Sequence, residues 1–123
     1  MITVREVMQI HEWVVESTGG SAGLRDEGLL ISALRRGKMT FDGNELYPTI
    51  EEKITAISHS LISNHCFVDG NKRIGVVVLL VLAETYDIDL EYTQKELIEL
   101  GLEVASGVWR EKEILNWILT HKK

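Results

Sequence analysis

Apolar residues along most of the chain recur at steps of three and four, the spacing of one face of an α-helix, and this predicts a mainly helical protein. Thr3 and Glu6 stand at the spacing of a capping box, in which each side chain satisfies a free amide of the first helical turn. Val4, Val7, Met8, His11, Val14 and Val15 then line one face of a first helix, which the breaker-rich stretch from Ser17 to Gly23 ends. Asp26 is the expected cap of a shorter helix through Arg36, with Leu29, Leu30, Ala33 and Leu34 on its apolar side and Gly37 as its stop.

The helical spacing lapses between Lys38 and Pro48. Met39, Thr40 and Phe41 precede Asp42-Gly43, and Leu46 and Tyr47 follow. An Asp-Gly pair favours a tight two-residue turn, and two isolated strands are only marginally stable in water. The expectation is a small exposed β-hairpin flap.

Thr49 and Glu52 form a second capping box, and Ile50, Ile54, Ile57, Ser58, Leu61 and Ile62 make one face of a helix through Asn64. His65 to Gly70 breaks the pattern, and Asn71 is placed to cap the next element. That element is apolar on every side from Ile74 to Ala83, so periodicity alone allows a buried strand, but its continuation to Glu84 favours a central helix. Thr93 and Glu96 start another helix reaching about Ser106, and Trp109 to His121 forms an amphipathic last one. The expected fold class is all-α with a small hairpin flap, and residues 1–123 read as a single domain, with no repeat or linker dividing them.

Composition narrows the functions. Thirteen Lys and Arg against nineteen Asp and Glu give a net charge of −6, which argues against direct nucleic-acid binding through phosphates. The longest apolar run, Ile74 to Ala83, is half the roughly twenty residues a membrane span requires. One cysteine, Cys66, cannot make an internal disulfide, and with no secretory segment at the start it points to a reducing, cytoplasmic setting.

The chemistry concentrates in His65-Cys66-Phe67-Val68-Asp69-Gly70-Asn71-Lys72-Arg73, between two helices. Free amides at a helix start and its partial positive charge favour an anion, above all phosphate. Lys72 and Arg73 add two cations, Arg73 with a planar fork suited to phosphate oxygens. Asp69 would oppose a bare anion unless a cation such as Mg²⁺ lies between them, so a magnesium nucleotide follows as an expectation. Imidazole is suited to take a proton from an attacking hydroxyl near neutral pH, and His65 is the candidate. The same residues also read as a turn, a helix cap and solvated charges, and on the residues alone both readings stand.

HCFVDGNKR resembles the signature of the Fic and death-on-curing superfamily, His-x-Phe-x-Asp/Glu-x-Asn followed by Gly or Lys and then Arg, with His65, Phe67, Asp69, Gly70, Asn71 and Arg73 in register. The likeness extends upstream to GLRDEGLLISAL (23–34) and YPTIEEKITAI (47–57). It is similar to the Doc branch rather than to long Fic enzymes: Lys72 stands where Fic nucleotidyltransferases usually have Gly, and Val76 stands where they have a second Arg. The resemblance implies a toxin that transfers the γ-phosphate of ATP to a Ser or Thr hydroxyl of a translation protein, elongation factor Tu above all. It implies His65 as general base, Asp69 as Mg²⁺ ligand, and Gly70, Asn71, Lys72 and Arg73 as the phosphate site. The flap, with Lys38, Thr40, Phe41, Asp42 and Gly43, would guide an extended target segment by strand addition.

An antitoxin of the prevent-host-death type, with a disordered tail that folds on binding, is the implied partner. Fic enzymes often carry an inhibitory Ser/Thr-x-x-x-Glu-Gly/Asn motif. Glu27-Gly28 is the nearest match and lacks the initial Ser or Thr, so restraint is expected in trans. The alternatives are Fic-type nucleotidyl transfer, or a degenerate module that only binds a partner.

Other features read more blandly. His59 and His65 are separated by about 600° of helical rotation, so their rings do not face one another and a zinc pair is not expected. Arg35, Arg36 and Lys38 read as a solvated helix end. Trp13, Trp109 and Trp117 read as core or antitoxin-facing surface, and Cys66 as packing.

Overall fold

The three capping boxes form as read, and they set the starts of three helices. Thr3, Thr49 and Thr93 accept from the amides of Glu6, Glu52 and Glu96 at 3.1 Å each, while those glutamates accept in return from the threonine amides. The computed structural model describes residues 1–123, with helices α1 (Val4–Thr18), α2 (Glu27–Arg35), α3 (Ile50–Ser63), α4 (Asn71–Thr85), α5 (Gln94–Ala105) and α6 (Glu111–His121). Between α2 and α3 lies an antiparallel hairpin, β1 (Thr40–Phe41) and β2 (Asn44–Glu45), so the chain is mostly helical with a small flap.

The α3–α4 pair is the most extensive packing in the molecule, and the other helices gather round it. Its closeness depends on Gly75, where a Cβ would stand 2.3 Å from Ile62 Cγ1 and 3.1 Å from the Ser58 carbonyl oxygen. The core of Leu30, Ile54, Ile57, Leu61, Phe67, Ile74, Leu79, Leu100 and Ile114, among others, draws on every helix. The all-apolar run is therefore helix α4, resolving the strand alternative, and it is central because its neighbours cover it on several sides. No helix is long and apolar enough to cross a membrane.

The hairpin pairs Thr40 with Glu45 and Phe41 with Asn44. Asp42 and Gly43 both adopt positive φ, 52° and 78°, which gives the turn a twist matching that of the strands. Phe41 is 77% exposed, so no hydrophobic face anchors the flap. Its base is held by polar contacts instead: Lys53 Nζ donates to Gly37 O at 3.2 Å, to Glu45 Oε1 at 2.9 Å and to Tyr47 O.

Several expectations are corrected. Gly37 does not stop α2; the α-helix ends at Arg35, and a 3₁₀ turn, Arg36–Lys38, carries the chain through Gly37. Gly37 is buried against Ile57 and Lys53 of α3, so its smallness serves packing. Nor is Arg36 solvated. Its guanidinium pairs with Glu111 of α6 and donates to Tyr47 Oη at 2.6 Å, joining the flap base to the last helix. Finally, α6 starts at Glu111 rather than Trp109, because Arg110 is extended and the Trp109 amide turns back to Glu103 O of the α5 end.

Candidate active site

The loop from His65 to Gly70 leaves the end of α3, crosses beneath the start of α2, and enters α4. His65 is exposed and sits at φ 53°, a left-handed conformation uncommon for a residue with a Cβ. Phe67, only 1% exposed, is the loop's anchor in the core. Its neighbours bond to the α1–α2 connection: the amides of Arg25 and Asp26 donate to Cys66 O, and the Val68 amide donates to Gly23 O. Burial pushes the Cys66 thiol up in pKa, as expected for an inert packing residue.

Asn71 is not the helix cap. Gly70, left-handed at φ 77°, holds the cap position and Asn71 is the first helical residue. The Asn71 side chain reaches back across the loop, accepting from the Phe67 amide and donating to Phe67 O, both at 3.0 Å. An amide does both jobs because it carries a donor and an acceptor; a carboxylate would lose the second bond. Asn71 thus shapes the loop with its side chain, and what it offers a ligand is its backbone N–H.

Gly70 lets this loop close. A Cβ there would come within 3.5 Å of His11 Nε2 and would have to adopt a conformation that suits glycine. His11 is buried on α1, stacks on Phe67 at 3.7 Å between ring centroids, and donates from Nε2 to Asp69 O at 2.7 Å. The Asp69 carboxylate accepts from the Gly70 amide at 2.8 Å and from the Ser21 amide at 3.3 Å. It lies so close to Gly20 that a Cβ there would stand 2.6 Å from Oδ2.

The first intrahelical donor of α4 is Ile74, which bonds Gly70 O at 2.9 Å, so the N–H groups of the first turn point out of the helix. They open on a cleft of about 570 Å³ lined by His65, Asp69, Gly70, Asn71, Lys72 and Arg73, together with the Gly19-Gly20 backbone. The motif residues therefore share one cleft. Its size suits a nucleotide or a large part of one.

Lys72 lies with its Cγ and Cδ beside Gly101 of α5, where a Cβ would stand 3.3 and 3.5 Å away. Lys72 and Arg73 also line a second groove, of about 510 Å³, between α1, α4 and α5, with Trp13, Val77 and Ile98 among its apolar walls. A further cleft of about 460 Å³ beside the C-terminal end of α4, with Glu84, Asp87 and Asp89, contains none of the motif residues. The flap residues Lys38, Thr40, Phe41, Asp42 and Gly43 are all exposed and contribute nothing to the motif cleft. Of the tryptophans, Trp117 is core, Trp109 packs partly against it, and Trp13 is 61% exposed on the groove. His59 faces Glu111 at 4.0 Å, and burial lowers its pKa.

His11, Arg25 and the Gly20-Ser21 backbone hold the loop from outside the motif. His11 carries a signal in the sequence, as the one ionisable group on the apolar stripe of α1, whereas nothing local to Arg25 or Gly20 points to the loop.

A stretch of 55 residues is 46% identical to the protein described as Toxin Doc of Mycolicibacterium smegmatis. It covers 45% of this chain and 42% of that toxin, so under half of the relative is spanned. Residues 1–83, which contain α1, α2, the hairpin, α3 and the whole motif loop, match the Fic/DOC family. On that match over the larger part of its length, the chain belongs to the Fic/DOC family.

Proposed function

We propose that the chain is a growth-arresting toxin that transfers the γ-phosphate of ATP to a Ser or Thr hydroxyl of a translation protein of the elongation factor Tu type. The observation that carries this reading is the shared cleft. His65, the Asp69 carboxylate, the first-turn amides of α4 and the cations Lys72 and Arg73 all line it.

Phosphoryl transfer asks chiefly for positioning and charge neutralisation. Here the α4 amides and Arg73 bind phosphate oxygens, and Lys72, its stem resting against Gly101, supplies a cation where Fic nucleotidyltransferases usually have Gly. His65 accepts the hydroxyl proton as that oxygen attacks phosphorus. Asp69 is the only carboxylate lining the cleft. Two amide donors leave it lone pairs to spare, a donor set that fits a cation completed by phosphates and water. Mg²⁺ held there would neutralise phosphate charge.

The flap offers short, exposed strand edges to an extended target segment. The proposed partner is an antitoxin of the prevent-host-death type, similar to what a Doc toxin requires. The groove between α1, α4 and α5 suits its segment: apolar walls take an amphipathic helix, and carboxylates at one end would cover Lys72 and Arg73. On this reading the 123 residues act as one domain in the cytoplasm.

The test is incubation with bacterial lysate and ATP labelled at the γ- or the α-phosphate. Label from γ on one translation protein is expected. Label from α would replace the proposal with nucleotidyl transfer, and no label from either, with no Mg·ATP binding by calorimetry, would leave a partner-binding module.

A further inference from the structure

We infer that Arg25 is a positioning residue for His65: its guanidinium and backbone amide hold three successive carbonyls, of Asn64, His65 and Cys66, and keep His65 in its left-handed conformation. This rests on the reading of His65 as the base. Arg25 Nε donates to His65 O at 2.6 Å, Nη2 donates to Asn64 O at 3.3 Å, and the Arg25 amide donates to Cys66 O at 2.8 Å.

Asn64 is the C-cap of α3 and His65 follows it, so the guanidinium bonds the carbonyl of the cap and the next one, where a cation also suits the negative end of the helix. What these carbonyls surround is the one residue of the motif loop that is not glycine yet has positive φ. The left-handed residue after a helix cap is usually Gly, and a residue with a Cβ is strained in that conformation, so contacts that hold its backbone matter here. Catalytic bases are commonly oriented by a group bonded to the ring, but here the exposed His65 is fixed through its backbone. With the backbone released, His65 can relax to negative φ, the Cα–Cβ direction turns, and the imidazole leaves the cleft.

The planar fork of Arg suits two neighbouring acceptors, which the single ammonium of Lys cannot match in the same way. Arg25 is exposed, so its substitution leaves the core untouched.

The experiment compares wild type, Arg25→Ala, Arg25→Lys and His65→Ala. Arg25→Ala should lose about 10–100-fold in kcat, the scale expected from misplacing a reacting group by an ångström, with little change in KM for ATP. Arg25→Lys should fall between it and wild type. Millimolar guanidinium should restore part of the rate to Arg25→Ala and none to His65→Ala. The ¹³Cα and ¹³Cβ shifts of His65 should move away from left-handed values in Arg25→Ala.

Wild-type kcat in Arg25→Ala, or unmoved His65 shifts in a folded variant, would overturn the inference. Should Arg25→Ala fail to fold, Arg25→Lys carries the same comparison. If the wild-type chain transfers no label, the base assignment fails separately, and the His65 shifts alone still decide whether Arg25 holds that conformation.

Discussion

At the scale of single residues, the cleft separates groups that bind from groups that shape. Removing the imidazole in His65→Ala takes away general-base help, and transfer should fall by about 10²–10⁴-fold. Its thermal melt should match wild type, because the side chain is exposed; undiminished transfer would remove His65 from the mechanism. Asp69→Asn keeps an acceptor for the Gly70 amide, gives up the longer bond from the Ser21 amide, and deletes the only carboxylate of the cleft. The Mg²⁺ concentration giving half-maximal transfer should rise, and an unchanged titration would count against the metal assignment. Lys72→Gly should reduce γ-label transfer by about 10–100-fold, the scale of one charge-assisted hydrogen bond. It should not create α-label transfer, since Val76 supplies no second cation; rapid α-labelling by this variant would contradict that. Candidate binders were legible because helix starts and charged turns have local signatures. Asn71 was misread for the same reason: Asn before a helix is usually a cap, and only the approach of Phe67 reveals the bridging role.

At the scale of elements, the starts of α1, α3 and α5 were readable because a capping box needs only residues three apart. The hairpin was readable because Asp-Gly suits a turn with two positive φ values. The closeness of α3 and α4 was not, since Gly75 within an apolar run carries no sign of its partner. Gly75→Ala should destabilise the fold by about 1–3 kcal/mol in urea unfolding, because the added methyl meets Ile62 and the Ser58 carbonyl together. The higher helix propensity of Ala opposes this and is worth roughly 1 kcal/mol. A gain in stability would mean that the two helices move apart freely, leaving the loop between them less constrained than it looks.

At the scale of the whole molecule, the C-terminal end is tied to the rest by polar contacts. Both ring nitrogens of His121 face acceptors, Glu96 Oε2 and Trp117 O, each at 2.7 Å, and the ring stacks on Trp117. Burial opposes the charged ring, but the bonds to Glu96 and Trp117 O and the Glu96 charge outweigh it and raise the His121 pKa. The Thr93 amide, the His121 ring and the Thr93 hydroxyl hold Glu96 down at about 2. A raised imidazole contributes stability that is complete below its unfolded value and is lost as pH rises through the folded one. A lowered carboxylate contributes above its unfolded value and loses that as pH falls toward 2. The pair is therefore strongest in the mildly acidic range, between the ordinary carboxylate and imidazole values of 4.5 and 6.5. The melting temperature lost in His121→Gln should be greater at about pH 5.5 than at about pH 9. Equal losses at both would show that the ring acts by packing alone. His59, lowered mainly by burial, works in the opposite sense and loses its contribution as pH falls, so the comparison must be with wild type at each pH.

On the same scale, the helical class, the order of elements and the motif loop are legible from the residues alone, because periodicity, caps and turns depend on neighbours a few residues apart. Tertiary structure alone decided what holds that loop. His11 meets Asp69 across 58 positions, Arg25 meets His65 across 40, and Arg36 meets Glu111 across 75. No local pattern encodes such pairs. A buried imidazole, an exposed guanidinium at a carbonyl row and an arginine pulled from solvent by a distant carboxylate arise only once the α3–α4 core has brought the other elements round it.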